Sequence, residues 1–409
     1  MSTWRPRIVV ALVLVLLAGT AALGVGRLAG SPSSGVAGAT ASEEPGREAE
    51  LGELETGLTE AERDGEEGGE RPSPLDPTGA KTVSAVRFAR IPVHALEANL
   101  RTLPVERPIR RVDREEAGPP ADDPITEAGA TTTGGTSPLA LGSTAAAPGP
   151  TSVIDGLNYN SWGCGFPPDT NGDVGPDHYI QTVNCSFGIF DKVSGTRLAA
   201  NTFNGITPNT SGTVCDSNNY GDPVVVYDSF SDRWIMTDFA FTTSGGSLTS
   251  RTYECILVSK TSDPVAGGWW YYAIPVTDAG LIGDIADYPK VGVWPDGIYI
   301  TFNVFSGSGG FKNVRLLALN RADLEAGSAL RTAMVDLPQV VGGTTVFSLL
   351  PANARVQTGV PAAGTPALFA SVWGKYAIRV WKWALDWTTS PVGSTLSGPS
   401  EAPTGATAM

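Results

Sequence analysis

Oxygen-bearing side chains are crowded into one short stretch, "PPDTNGDVGPDHY", which begins at residue 167. Carboxylates and an amide fall at positions 1, 3, 5 and 9 of a loop within it, and a backbone carbonyl falls at position 7. Calcium prefers about six to eight oxygen ligands in flexible geometry, and alternate residues of a tight loop can supply them. The pattern predicts a calcium site formed by Asp169, Asn171, Asp173, Gly175 and Asp177.

The same stretch departs from an EF-hand loop at two positions. Val174 occupies position 6, where the EF-hand requires glycine, and Ile180 occupies position 12, where it places a bidentate glutamate. The alternative is a set of Asx turns, in which these side chains accept hydrogen bonds from their own backbone. The sequence leaves both interpretations open.

Other aspartates stand beside Pro, Gly, Ser or Tyr at the ends of apolar runs: Asp222, Asp228, Asp232, Asp263, Asp287 and Asp296. We interpret them as turn and strand-cap residues. The catalytic alternative is a pair of carboxylates that hydrolyses a glycosidic bond. Glutamate is scarce after residue 150, and His178 is the single histidine there, so a catalytic triad or a typical zinc site is not favoured.

Aromatic residues cluster in "GGWWYY" (Trp269 to Tyr272) and in "WKWALDW" (Trp381, Trp383 and Trp387). We interpret both clusters as core packing, because aromatic side chains bring the most apolar area to a core. Exposed, they would form a platform for sugar rings or peptides.

The elements that must position these residues lie in the second part of the chain of 409 residues. All ten tyrosines follow residue 150, which predicts a packed domain at 151–409. Residues 31–150 are acidic and of low complexity and predict a mostly disordered leader, although 84–112 could hold one short amphipathic helix. The net charge of −14 argues against nucleic acid as a partner.

The N-terminus and the cysteines indicate export. Residues 1–30 begin with Arg5 and Arg7 and continue as an apolar run, which predicts a signal peptide or an uncleaved membrane anchor. Four cysteines in such a chain predict disulfides. Three pairings are possible, and the one that joins neighbouring strand segments is Cys164–Cys185 with Cys215–Cys255.

Short apolar runs separated by turn residues predict an all-β domain. Runs such as "HYIQTVN", "PVVVYDS", "ECILVSK", "IYITFNVF" and "IRVWKWALDW" read as strands, and "NRADLEAGSAL" as one helical turn. A strand–turn–strand unit recurs from Asp173, Asp222, Asp287 and Pro366. These starts are about 50–80 residues apart. A repeat of this length favours a β-propeller, with a β-sandwich as the alternative.

Four motifs carry a resemblance to a known family: "PPDTNGDVGPDHYIQTVN", "GDPVVVYDSFSDRWIMTDFA", "SKTSDPVAGGWWYYAI" and "DYPKVGVWPDGIYIT". Together they resemble secreted bacterial β-propeller-like proteins of largely unknown function, over about residues 155–400. "NLRTLPVERPIRR" is similar to that family's leader. The resemblance implies a disulfide at Cys215 and Cys255, with Cys164 and Cys185 as an addition. Such proteins usually continue further, so an incomplete ring of about four repeats is expected.

These observations together predict an exported or surface-attached, non-catalytic binding module that is stabilised by calcium. Its expected ligand is an extracellular glycan or protein, and its contact with membrane is limited to an uncleaved N-terminal segment. One alternative is a secreted carbohydrate-active hydrolase that uses an aspartate pair. A second is a structural part of a larger surface assembly.

Overall fold

The computed structural model describes residues 86–109 and 153–403, with gaps at 246, 281, 308, 339, 342–343, 374–376 and 390–391. The predicted signal or anchor segment and most of the leader lie outside these residues. Within them, no helix combines the length and the apolar character needed to cross a membrane.

The described part of the leader forms a belt, which we define as residues 86–109. It contains β1 (Arg87–Ile91) and β2 (His94–Leu96) and continues without regular structure to residue 109. The helix considered for 84–112 is therefore wrong. Ala89 and Ile91 pack inward whereas Phe88 and Arg90 are exposed, as on a strand, and Pro92 lacks the backbone N–H that a helix would need.

Four antiparallel sheets follow along the chain, and each is a meander of successive strands. Sheet 1 follows the short helix α1 (Tyr159–Trp162) and contains β3 (Asn171–Val174), β4 (His178–Val183), β5 (Ser186–Asp191) and β6 (Arg197–Thr202). Between sheets 1 and 2 lie α2 (Phe203–Ile206) and a 3-10 turn (Val214–Asp216).

Sheet 2 contains β7 (Asn219–Asp228), β8 (Arg233–Ala240), β11 (Tyr253–Ser259) and β12 (Trp269–Pro275), and a small hairpin of β9 (Thr243–Ser244) and β10 (Ser247–Leu248) interrupts it. The belt strand β2 pairs with its last strand.

Sheet 3 contains β13 (Ile285–Trp294), β14 (Gly297–Phe305), β15 (Phe311–Asn320) and β16 (Leu330–Pro338), with α3 (Arg321–Ala326) before the last strand. The belt strand β1 pairs with β16. A hairpin follows, formed by β17 (Val340–Val341) and β18 (Thr344–Thr345).

Sheet 4 contains β19 (Leu350–Pro351), β20 (Ala367–Trp373), β21 (Ala377–Asp386) and β22 (Gly393–Pro403), and a 3-10 turn (Val356–Thr358) follows its first strand. These four sheets differ from the two packed sheets of the β-sandwich alternative.

Apolar side chains fill the space between successive sheets. Strand β11 shows how one sequence serves two neighbours, because successive side chains of a strand point to opposite faces. Leu257 joins the core shared with sheet 1. Ile256 and Val258 join the core shared with sheet 3. Trp381 and Trp383 fill the third core, between sheets 3 and 4, as their predicted packing role requires.

Much of the predicted secondary structure is confirmed. The quoted apolar runs form strands, and "NRADLEAGSAL" contains α3. The repeat beginning at Pro366 is out of step, however. It corresponds to β20 and β21, which are the second and third strands of sheet 4, whereas the other three repeats begin near the first strand of their sheets.

Both predicted disulfides are present. Cys164–Cys185 ties the segment after α1 to the turn between β4 and β5, with 5.9 Å between the Cα atoms. Cys215–Cys255 ties the 3-10 turn before sheet 2 to β11, with 5.6 Å between the Cα atoms. Within the described residues, no cysteine is left free.

Candidate functional site

The first strands of all four sheets open on one cavity of about 500 Å³. Residues 169–173, 222–226, 288–291 and 350–355 contribute to its wall. We call it the central cavity. Its wall includes three carboxylates (Asp169, Asp173 and Asp222), two cations (Lys290 and Arg355) and the half-exposed ring of Tyr288.

Irregularities in two neighbouring strands aim carboxylates at this region. The pairing of β7 with β8 shifts between Gly221 and Val224, and the pairing of β13 with β14 shifts between Asp287 and Lys290. Such bulges re-aim side chains and are frequent beside functional sites. They bring together Asp222 and Asp287, which are 65 positions apart in the chain.

The backbone is left-handed at three positions around the cavity. The φ angles are 41° at Asp169, 46° at Asp222 and 56° at Tyr288. This conformation is unusual for residues other than glycine and is a strained one for an aromatic residue. Strained positions persist where the surrounding structure holds them, and they concentrate at ligand and active sites.

Asp222 and Asp287 form a buried pair of carboxyl groups. Burial, followed by the nearby charges of Asp287 and Asp169, raises the pKa of Asp222 well above its usual range. Burial also raises the pKa of Asp287, and its side-chain contact with Asp222 opposes that rise. Two carboxylates this close cannot both ionise without repulsion. The pair therefore resists double ionisation.

Two further residues support the pair. The Asn184 amide group donates to Asp169 Oδ2 at 2.6 Å, and its oxygen accepts from the backbone N–H of Asp222 at 2.9 Å. Lys290 lies over the ring of Tyr288, with Nζ 4.7 Å from the centroid. Burial lowers the pKa of the Lys290 ammonium, and the neighbouring carboxylates oppose that shift.

A second, smaller cavity of about 220 Å³ adjoins the first. Both cavities are lined by Asp169, Asp222 and Tyr288, so these residues separate the two spaces. The smaller cavity adds Asp287 and aromatic rings, among them the exposed Phe166. The site therefore combines charged groups with aromatic surface on both sides of the carboxyl pair.

Three of the five predicted calcium ligands, Asp169, Asn171 and Asp173, line the central cavity, and all three are engaged with protein groups. Residues 171–174 form strand β3, so Asn171 and Asp173 share one face. Asn171 Oδ1 accepts from the N–H of Val225 at 3.0 Å, and Asp173 Oδ2 accepts from the N–H of Tyr227 at 2.8 Å. These bonds tie β3 to β7.

The remaining candidates are spread out. The Gly175 carbonyl accepts from Lys192 Nζ at 3.0 Å, and Asp177 is exposed. Among the described residues, no three acidic, histidine or cysteine side chains are grouped closely enough to hold a metal ion. The calcium site stays a prediction.

An ion pair joins sheet 4 to sheet 1 beside the cavity. Arg355 Nη2 lies 2.6 Å from Asp173 Oδ2. The next residue, Val356, donates its N–H to Ser229 Oγ at 3.0 Å. The segment after β19 therefore reaches both sheet 1 and sheet 2.

The other aspartates divide between turns and the cavity. Asp263 caps a turn through the N–H groups of Val265 and Ala266, and Asp228 caps the β7–β8 turn through Phe230, as predicted. Asp222 and Asp287, which received the same interpretation, instead form the carboxyl pair. The aromatic clusters are packed: Trp269, Trp381 and Trp383 are buried.

Three cavity residues were not predicted: Tyr288, Lys290 and Arg355. Tyr288 and Lys290 lie in "DYPK", where a proline inside an apolar run signals a strand irregularity. Arg355 follows a strand of two residues, and no sequence signal distinguishes it.

No protein-family profile matches the chain, and no curated protein matches it. Two structures of variants of the exo-beta-1,3-galactanase from Phanerochaete chrysosporium, both with beta-1,3-galactotriose, are similar to part of it. The first alignment spans 57% of this chain and 60% of that one, at 11% identity and a TM-score of 0.27. The second spans 57% and 88%, at 8% identity and a TM-score of 0.17. Scores this low establish no shared fold.

Proposed function

We propose that this chain is an exported binding protein whose central cavity takes a hydroxyl-rich ligand, with a glycan as the ligand class. The main support for this proposal is that four sheets present charged groups of both signs and an exposed tyrosine ring to one cavity, at or near their first strands. Sugar hydroxyls donate to carboxylates and accept from ammonium and guanidinium groups. Sugar rings also pack against aromatic faces.

The dimensions support this ligand class. A volume of about 500 Å³ falls within the range of roughly 300–1,000 Å³ that is usual for small-molecule sites. Arg355 and Asp173 neutralise each other, as do Lys290 and Asp287 in part. A neutral ligand with many donors and acceptors fits such a mixed lining better than a strongly charged one.

A hydrolase is the second candidate, and the raised pKa values of the buried carboxyl groups of Asp222 and Asp287 favour it. The two carboxyl groups are hydrogen-bonded, however, whereas glycosidases separate theirs by about 5–10 Å to admit a water or a sugar carbon. That pair alone cannot flank a glycosidic bond. A catalytic pair would have to include another carboxylate of the wall, Asp169 or Asp173, and Asp173 is already paired with Arg355. Binding is therefore the better-supported function.

We also propose a propeller-like fold and an extracytoplasmic location for this chain. We infer that the four sheets are blades of a propeller-like ring, because their first strands line one cavity. Two disulfides and the apolar N-terminal run support an extracytoplasmic location. The resemblance to secreted propeller-like proteins agrees with both points.

We also propose that calcium binds the loop at residues 169–177. Melting of the full chain under oxidising conditions is expected at a higher temperature in calcium than in a chelator. That difference is expected to disappear in Asp169→Ala. Equal melting temperatures with and without calcium would leave the loop as a purely structural one.

Binding is tested by screening the full chain against a panel of extracellular glycans and measuring the best ligand by calorimetry. Tyr288→Ala is expected to weaken binding at least about tenfold, because it removes the ring that faces both cavities. Asp386→Asn, at the exposed end of β21 and outside the cavity lining, is the control and should bind as the parent does. Equal binding by both variants would reject the cavity as the site.

A further inference from the structure

The belt contacts the sheets as a bound peptide would. Its strand β1 pairs with β16 from Arg87↔Met334 to Ile91↔Leu330. Its strand β2 pairs with β12 from Trp269↔Leu96 to Tyr271↔His94. Adding a strand to an exposed sheet edge is a recurrent mode of peptide recognition. The outer edges of sheets 2 and 3 are therefore strand-accepting surfaces.

An apolar anchor follows the two strands. Leu100 is 5% exposed and belongs to the core between sheets 1 and 2. Its backbone N–H donates to the Val265 carbonyl at 2.8 Å. Leu103 packs at the edge of the same core. Val105, two residues further on, is 57% exposed, so the segment has one buried side and one solvent side.

A buried amide then clamps the backbone of the belt. Asn201, on β6, is 3% exposed. Its Nδ2 donates to the Pro104 carbonyl at 3.0 Å, and its Oδ1 accepts from the Glu106 N–H at 3.0 Å. A buried side-chain amide that satisfies both a carbonyl and an N–H of an extended segment recognises peptide backbone irrespective of sequence.

A cation–π contact fixes the end of the described belt. The Arg107 guanidinium carbon lies 3.8 Å from the centroid of the buried Trp162 ring. Arg107 Nη1 also donates to the Ser161 carbonyl at 3.3 Å. Guanidinium over an indole face is a favourable cation–π geometry. The belt thus has edge strands, a leucine anchor, a backbone clamp and an arginine contact.

The covalent connection does not dictate which copy receives the belt. Residues 110–152 separate it from the first described residue of the domain. A chain of that length spans at most roughly 150 Å when fully extended, which is more than the width of one domain. We propose that the belt is a separable peptide ligand of this domain, and that a second copy of the chain can supply it to form belt-exchanged dimers.

Whether the belt binds the domain as a separable peptide is tested on the folded full chain, with a protease site introduced within residues 110–152. After cleavage, the belt is expected to co-elute with the domain and then to exchange with a fluorescent peptide of residues 86–109. A peptide with Leu100→Ala should bind at least about 30-fold more weakly, because it leaves a core cavity. The Val105→Ala peptide is the matched control and should bind within about threefold of the parent.

Two outcomes of that experiment overturn the proposal. One is failure of the labelled peptide to enter the cleaved protein even in excess. The other is equal affinity of the Leu100→Ala and Val105→Ala peptides, which would mean that the apolar anchor does not determine binding.

Exchange between copies is tested with Ala89→Cys and Thr332→Cys together, since these residues are register partners of β1 and β16. Partners in a sheet lie at Cα distances that suit a disulfide. Refolding at micromolar concentration should give crosslinks within one chain. Refolding near millimolar concentration, which rivals the effective concentration of a tethered belt, should give crosslinked dimers. Each single-cysteine variant is the control. Crosslinks within one chain at every concentration would overturn exchange between copies, even if the peptide binds.

Discussion

Glu254 is a carboxylic acid held in a protein core, and its ionisation should control stability. It lies on β11 opposite Phe239 and Ile274 and is fully buried. Burial raises its pKa from 4.5 to about 8, and the nearby Thr237 hydroxyl opposes the rise only in part. At neutral pH the side chain is therefore protonated in the folded protein and ionised in the unfolded chain.

The sign and size of the effect follow from linkage. Between pH 4.5 and about 8 the folded state binds one proton more than the unfolded state, so the free energy of unfolding falls as pH rises through this window. A pKa difference of this size corresponds to about 5 kcal/mol from this one group. The loss is complete above the folded-state pKa.

Glu254→Gln removes the ionisation while preserving size. The variant should match the parent near pH 4.5 and exceed its unfolding free energy by several kcal/mol, up to about 5, near pH 8.5. Urea unfolding of both proteins at the two pH values, with disulfides intact, measures the difference. Glu106→Gln, at an exposed position, is the matched control and should show no pH-dependent difference. A Glu254→Gln difference that is the same at both pH values would show that burial does not raise the pKa of Glu254.

Three further predictions concern stability. Arg315→Met should lower the free energy of unfolding in urea by about 3–5 kcal/mol, because the buried guanidinium binds Asp336, Asp278 and the Val276 carbonyl. The control Arg87→Met, at a more exposed position, should lower it by about 1 kcal/mol or less. Equal losses would show that burial does not set the strength of these ion pairs. Replacing Cys215 and Cys255 by alanine should lower the free energy of unfolding by about 4 kcal/mol. Replacing Cys164 and Cys185 should lower it slightly less, because the loop that this second disulfide closes is shorter. The reverse order in thermal unfolding would argue against a stabilisation that comes from chain entropy. Asp173→Ala should lower the free energy of unfolding by about 2 kcal/mol even when a chelator removes calcium, since it leaves Arg355 and the Tyr227 N–H without their partner. The control Asp177→Ala, at an exposed position, should leave the melting temperature nearly unchanged.

The architecture was predictable where the strand pattern is dense. Runs such as "ECILVSK" are apolar on both faces because their sheets are covered on both sides, and that pattern identifies buried strands. The belt was not predictable in the same way. Its two strands are short and lie on either side of Pro92, and their pairing partners lie far along the chain, so no local pattern reveals them.

The site was only partly predictable. Asn171 and Asp173 have the spacing of alternate ligands in a calcium loop, but the same spacing places two side chains on one face of a strand, and here they bind the backbone of β7. Asp222 and Asp287 each look like turn residues. Bulges in neighbouring sheets bring them together, and that juxtaposition depends on packing between sheets.

The most direct test of the proposed function is a crystal structure of the full chain with the best glycan from the screen. We predict a sugar ring against Tyr288, with hydroxyl groups bonded to Asp222 and Lys290 in the central cavity. A glycan bound elsewhere on the sheets, with the central cavity filled by solvent alone, would contradict it.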